Sequence, residues 1–194
     1  MNKVKFVVSV PGFLSLLSAC TPYAVHAAET ENANVDLESC LIQSQDMMLG
    51  TWNFMNVIET ISGGYRTFRT QSIHGKLENG LYTAQSSGGD LSEEDSGSIE
   101  YERVKGNAIV PVEDNVDQMD RARMFVTCDG PDDVGRIKTT STYQIPLDEE
   151  GTELLTVKNY SSFSEGGTFF FEEFQDENGN TIARASGVTT PVEG

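Results

Sequence analysis

Between Ile137 and Ile145 the hydrophobic and polar positions alternate: Ile137, Thr139, Ser141, Tyr143 and Ile145 fall on one side of an extended chain, and Lys138, Thr140, Thr142 and Gln144 on the other. A period of two predicts a strand with one buried face and one wet face. The same period groups Ala122, Met124, Val126 and Cys128 within 121–128, and sets Ile99 and Tyr101 against Glu100 and Glu102. Turn signals punctuate these runs. Asn79-Gly80 and Asn178-Gly179 supply the positive φ of tight hairpins, and Gly63-Gly64, 129–135 and 148–151 serve the same end. Between the turns, β-branched and aromatic residues predict strands near 51–60, 65–74, 81–87, 98–104, 107–112, 121–128, 136–145, 152–162, 168–175 and 180–187. Their spacing predicts an up-and-down meander. A twisted sheet of about eight to ten strands tends to close on itself, so the expected fold is all-β, a small antiparallel barrel, with a β-sandwich as the alternative.

Two segments depart from this pattern. Residues 37–48 place Leu37, Cys40, Leu41 and Met48 at helical spacing, which predicts a short helix before the first strand. Residues 86–98 are rich in Gly, Ser and acidic side chains and read as a solvent loop. In Phe169-Phe170-Phe171 and Phe174 the strand period puts Phe169 and Phe171 on one face and Phe170 and Phe174 on the other. The outward pair either packs under a neighbouring segment or forms a partner surface.

At the amino terminus, Lys3 and Lys5 precede an apolar stretch from Phe6 to Leu17 that is too short to span a bilayer. Leu17-Ser18-Ala19-Cys20 then resembles the lipobox of bacterial lipoprotein signal peptides. That resemblance implies a signal peptide over 1–19, lipid attached to Cys20, and membrane anchoring through two or three acyl chains. A plain secretory cleavage after Ala27 is the alternative, since Val25-His26-Ala27 also has small residues at the required positions. Residues 20–36 read as a lipidated flexible tether, 37–188 as the β-barrel domain and 189–194 as a flexible C-terminus. If lipid occupies Cys20, Cys40 and Cys128 remain as a pair, which an oxidising compartment closes into a disulfide. By analogy with lipoprotein sorting, Thr21 after the cysteine implies an outer-membrane location facing the periplasm.

Gly50-Thr51-Trp52, at the start of the first predicted strand, resembles the Gly-x-Trp element of the lipocalin and calycin superfamily. The resemblance implies that Trp52 closes one barrel end beside Gly50, with a basic side chain from a late strand, Arg184 by position, packed across it. It also implies a lumen that takes a small apolar ligand, lined by Trp52, Phe54, Phe68, Tyr101, Met124, Tyr143 and Leu155. Avidin-like proteins open with the same three residues but use several tryptophans for biotin, and this chain has one.

Charge and chemistry narrow the function further. A formal charge of −17 repels phosphates and excludes nucleic-acid binding. His26 falls in the tether, so His74 is the one histidine of the domain; no multi-histidine metal site can be built and no cofactor is implied. His74 reads as an exposed histidine at a strand end. Lipid and disulfide consume the three cysteines, and no nucleophile elbow accompanies His74. The expected role is therefore non-enzymatic: a lipid-anchored envelope module that binds a small apolar ligand or acts passively. One alternative is an inhibitor or assembly lipoprotein that presents acidic loops to a basic envelope partner. Another is a hydrolase using two carboxylates drawn from pairs such as Glu93-Glu94, Glu149-Glu150 or Glu172-Glu173.

Overall fold

The computed structural model describes residues 37–88, 96–147 and 153–192. The lipobox, the 20–36 tether and the acidic pairs Glu93-Glu94 and Glu149-Glu150 lie outside the described residues. A helix α1 (Leu37–Asp46) leads into strands β1 (Gly50–Thr60), β2 (Tyr65–Lys76), β3 (Tyr82–Ser87), β4 (Ile99–Lys105) and β5 (Ala108–Glu113). A two-residue strand β6 (Val116–Asp117) and a 3-10 turn at Met119–Arg121 follow. The chain continues through β7 (Arg123–Asp129), β8 (Ile137–Pro146), β9 (Leu154–Ser164), β10 (Gly167–Gln175) and β11 (Thr181–Pro191).

Every long strand pairs antiparallel with the next, β5 with β7 across the short β6, and β11 returns to β1. The result is a closed meander of ten strands, so the sandwich alternative does not apply. Closure removes the free edges that an open sheet would present. The predicted strands all appear, and the helix falls within 37–48 as expected. The last strand runs further than the 188 boundary allowed: Thr189 is buried, pairs with Phe54 and accepts the Thr168 backbone N–H at 2.8 Å.

The inner wall reads as transverse rows. One row crosses Phe125, Ser141, Asn159, Glu172, Ala185 and Ile58; the next crosses Cys128, Thr139, Ser161, Phe170, Gly187 and Asn56. A single apolar cluster including Trp52, Phe54, Phe125, Ile137, Leu155, Val157, Phe163, Phe170 and Phe174 fills much of the interior. Helix α1 plugs one end. Its buried face, Cys40, Leu41, Ser44 and Gln45, meets the cluster, and the Cys40–Cys128 disulfide ties it to β7 with the Cα atoms 5.9 Å apart. Trp52 belongs to this plug, its indole N–H donating to the Met48 carbonyl at 2.7 Å.

Three inner-wall assignments are corrected by the register. Tyr101 lies on the outer wall, 39% exposed, because β4 turns Glu100, Glu102 and Val104 inward instead. Met124 is also outside, 40% exposed. The period of two breaks in β7, where Phe125 pairs with Ser141 and Thr127 with Thr140, leaving Val126 as a bulge. The bulge lets Phe125 and Cys128 both face inward although they are three residues apart. Arg184 does not cross Trp52: it sits on the outer wall opposite Glu59, with Nε 3.4 Å from Glu173 Oε1, whereas Trp52 is opposite Pro191. Seven residues of β1 separate the two positions, about 24 Å along a strand.

Candidate functional site

Of the lining residues expected from sequence, Trp52, Phe54 and Leu155 are buried inside the barrel, and Phe68 and Tyr143 face inward but are half-buried. Their exposure follows the wall they stand on. Inward residues of β8 to β11, such as Thr139, Ser141, Asn159, Phe170 and Ala185, are buried in a solid core. On β2 to β4 the inward Phe68, Thr70, Ala84, Ser86, Glu100 and Glu102 are half-buried, whereas Ser72, His74 and Tyr82, toward the plugged end, are buried. Solvent therefore reaches more of the inner face of β2 to β4 than of β8 to β11.

Across that lumen runs a set of ionisable groups. Arg123, at the start of β7 and 8% exposed, lies with Nη2 3.6 Å from Glu102 Oε1 on β4. Its guanidinium carbon stands 5.6 Å from the centre of the Tyr143 ring on β8. The Tyr143 hydroxyl donates to Glu172 Oε1 on β10 at 2.8 Å, and Asn159 Nδ2 donates to the same oxygen at 2.9 Å. Ser161 in turn donates to Asn159 Oδ1 at 2.7 Å, which fixes the amide's orientation. Glu172 itself is 5% exposed.

Burial dominates the titration of these groups. It raises the Glu172 carboxyl above the ordinary range against the opposing hydrogen bonds of Tyr143 and Asn159 and the charge of Arg123. Burial likewise raises Glu102, with Arg123 opposing, and pushes the Tyr143 phenol well up. Among the described residues Asn56 Oδ1, Thr139 Oγ1 and Ser141 Oγ are buried without a hydrogen-bond partner, an uncommon state for polar atoms.

His74 contradicts its expected exposure. It faces inward near the plugged end, its ring 6.1 Å from that of Phe54, and burial lowers its imidazole to about 4. Beside it Gln45, Tyr82, Glu100 and Glu102 enclose a cavity of about 10 Å³, room for about one water. A larger space of about 540 Å³ lies open on the outer wall along Asn53, Met55, Arg69, Gln71, Val188 and Thr190. That space is a surface groove, and none of the lumen's charged groups reaches it.

The Glu172-Glu173 pair is split by the strand, Glu172 inside and Glu173 outside facing Arg184. Among the described residues no three His, Cys, Asp or Glu side chains are placed to hold a metal ion. Glu102, Arg123 and Asn159 escaped the sequence reading, although Glu172 between inward Phe170 and Phe174 carried a legible signal of a charged residue in a core strand.

Among solved structures, Rv2717c from M. tuberculosis matches with a TM-score of 0.54 at 12% identity, over 78% of this chain and 97% of that one. A protein of unknown function from the DUF3598 family of Nostoc punctiforme matches with a TM-score of 0.48 at 10% identity and covers 76% of this chain. The chain spans about half of that protein's length, 49%. Identities this low establish likeness of fold alone, and the closed ten-strand barrel resembles a calycin-like fold. No family model matches the chain, and no curated protein does.

Proposed function

We propose that this protein is an exported, lipid-anchored module of the bacterial envelope whose barrel lumen binds a small molecule. The observation that carries the reading is a partly solvent-reached inner face, at Phe68, Thr70, Ala84, Ser86, Glu100 and Glu102, across the barrel from buried Glu172, Arg123 and Asn159 and half-buried Tyr143. A barrel needing only stability gains little from such groups, since burying ions costs several kcal/mol and apolar side chains of similar size do as well or better. A few fixed polar groups in a largely apolar, concave space are the usual makeup of a small-ligand site. The expected apolar ligand is accordingly revised to one with a polar end.

Anchoring rests on Leu17-Ser18-Ala19-Cys20, and the Cys40–Cys128 bridge supports an oxidising compartment. Thr21 after the lipidated cysteine favours the outer membrane, facing the periplasm. Native mass spectrometry of the protein recovered from its own envelope tests the binding role. A retained mass of a few hundred daltons supports it, and consistently empty protein that also binds nothing from an envelope extract rejects it. For the anchor, Cys20→Ser releases the protein into the soluble envelope fraction; membrane retention of that variant excludes lipidation there.

A further inference from the structure

The lumen holds an unequal set of charges. Arg123 pairs with Glu102 at 3.6 Å, Glu100 also turns inward on β4, and Glu172 adds a further negative charge on the β8 to β11 side. The hydrogen bonds Glu172 receives come from a phenol and an amide, neutral donors that orient Oε1 without neutralising the carboxylate. Among the described residues it forms no ion pair, although the field of Arg123 reaches it. Ser141 is a second and independent sign. It is wholly buried, occupies the same transverse row with Asn159 between it and Glu172, and its Oγ has no hydrogen-bond partner.

Toward the end opposite α1 the wall turns apolar. Phe174 stands two residues along β10 from Glu172, about 7 Å nearer the rim, where Ile58, Ile145, Leu147 and Ile182 are partly exposed. An occupant entering there meets hydrocarbon first and a carboxylate beneath it. Among the described residues an anionic head would face three inward carboxylates, Glu100, Glu102 and Glu172, against one guanidinium, whereas a cationic head offsets the excess and can donate N–H to Glu172, in the row that Ser141 shares.

We infer that the lumen takes an amphipathic small molecule with a compact cationic head, a protonated alkylamine in chemical class, and that Glu172 receives the head. The inference deepens the lumen-binding reading and rests on it. The test titrates the full chain, carrying Cys20→Ser so that no detergent is needed, with decylamine, decanol and decanoate below their micellar concentrations, followed by calorimetry. Decylamine binds one to one and at least tenfold more tightly than decanol, with decanoate weaker still. Glu172→Gln brings decylamine to the affinity of decanol and leaves decanol within about twofold, while Glu173→Gln, on the outer wall of the same strand, changes neither. Should Glu172→Gln fail to fold, the ranking of the three probes on the unsubstituted lumen still decides. Equal affinities, a preference for decanoate, or an amine preference that survives in folded Glu172→Gln overturns the cationic assignment while the lumen remains the binding site. Binding of none of the three overturns both readings.

Discussion

At the residue scale, His74 shows how burial alone sets a pH response. Its imidazole stays neutral in the folded protein until about pH 4, whereas an unfolded chain protonates it near the ordinary 6.5. As pH falls between these values the unfolded state binds a proton that the folded state refuses, so stability declines. A gap of 2.5 units (6.5 − 4) at 1.36 kcal/mol each is about 3 kcal/mol. Glu102 and Glu172 act in the opposite sense: their raised carboxyls favour the folded state as pH falls toward 4.5. Comparing wild type with His74→Gln cancels the glutamates. Urea unfolding at pH 7 and pH 4 is expected to show the wild type losing about 3 kcal/mol more than the variant, and parallel losses would reject a neutral buried imidazole. Gly187 makes a steric point at the same scale. A Cβ there would meet the Met55 carbonyl oxygen and Asn56 Oδ1, each at 2.6 Å, and crowd the Phe170 ring. Gly187→Ala therefore costs about 1 to 3 kcal/mol in urea unfolding, as overpacked sites do, while Gly166→Ala, in open space, stays within about 0.5 kcal/mol.

At the scale of elements, helix α1 is held by one covalent bond and one polar cluster. Asp46 at its end accepts from Lys76 at 2.7 Å, a part-exposed ion pair worth at most about 1 kcal/mol, and from the Tyr82 hydroxyl at 2.9 Å, a part-buried bond. The disulfide matters more, because it closes a separation of 88 residues and so restricts the unfolded chain by about 4 to 5 kcal/mol on the entropy model. Replacing Cys40 and Cys128 together by Ala should lower the unfolding free energy by that amount. A loss below about 1 kcal/mol would mean that the plug is held without the bond. The strands were legible in the sequence because each lies between turn residues with a mechanism, such as Asn79-Gly80 or Asn178-Gly179. The bridge was legible from the count of three cysteines. Which face of a strand points inward was less legible. In β8 the alternation from Ile137 to Ile145 survives intact. In β7 the bulge at Val126 reverses the phase, hiding Arg123 and presenting Met124 as an inner residue. In β4 the inner face carries Glu100 and Glu102, so hydrophobicity points to the wrong side. The charged group escaped the sequence because its residues violate the pattern that marks a core.

At the scale of the whole molecule, the proposed binding draws on the same interior as stability and makes the opposite demand of it. The closed ring and the cluster around Phe170 supply a continuous core, into which Glu102, Arg123 and Glu172 bring charges that must be hydrogen-bonded to be tolerated. Removing one partner strands another: Arg123→Met alone leaves buried Glu172 and half-buried Glu102 without their cation and should cost about 3 kcal/mol. Removing the set does not. Glu102→Leu, Arg123→Met, Tyr143→Phe, Asn159→Leu, Ser161→Ala and Glu172→Leu combined replace the ions and the amide and hydroxyl bonded to them with apolar groups, so that no buried donor loses its acceptor. The combined variant is expected to unfold at the wild-type urea concentration or above, because desolvation no longer opposes folding, and to lose the preference for decylamine over decanol. A combined variant as unstable as Arg123→Met alone would assign these groups to the architecture of the barrel. A stable one without the preference would assign them to its ligand.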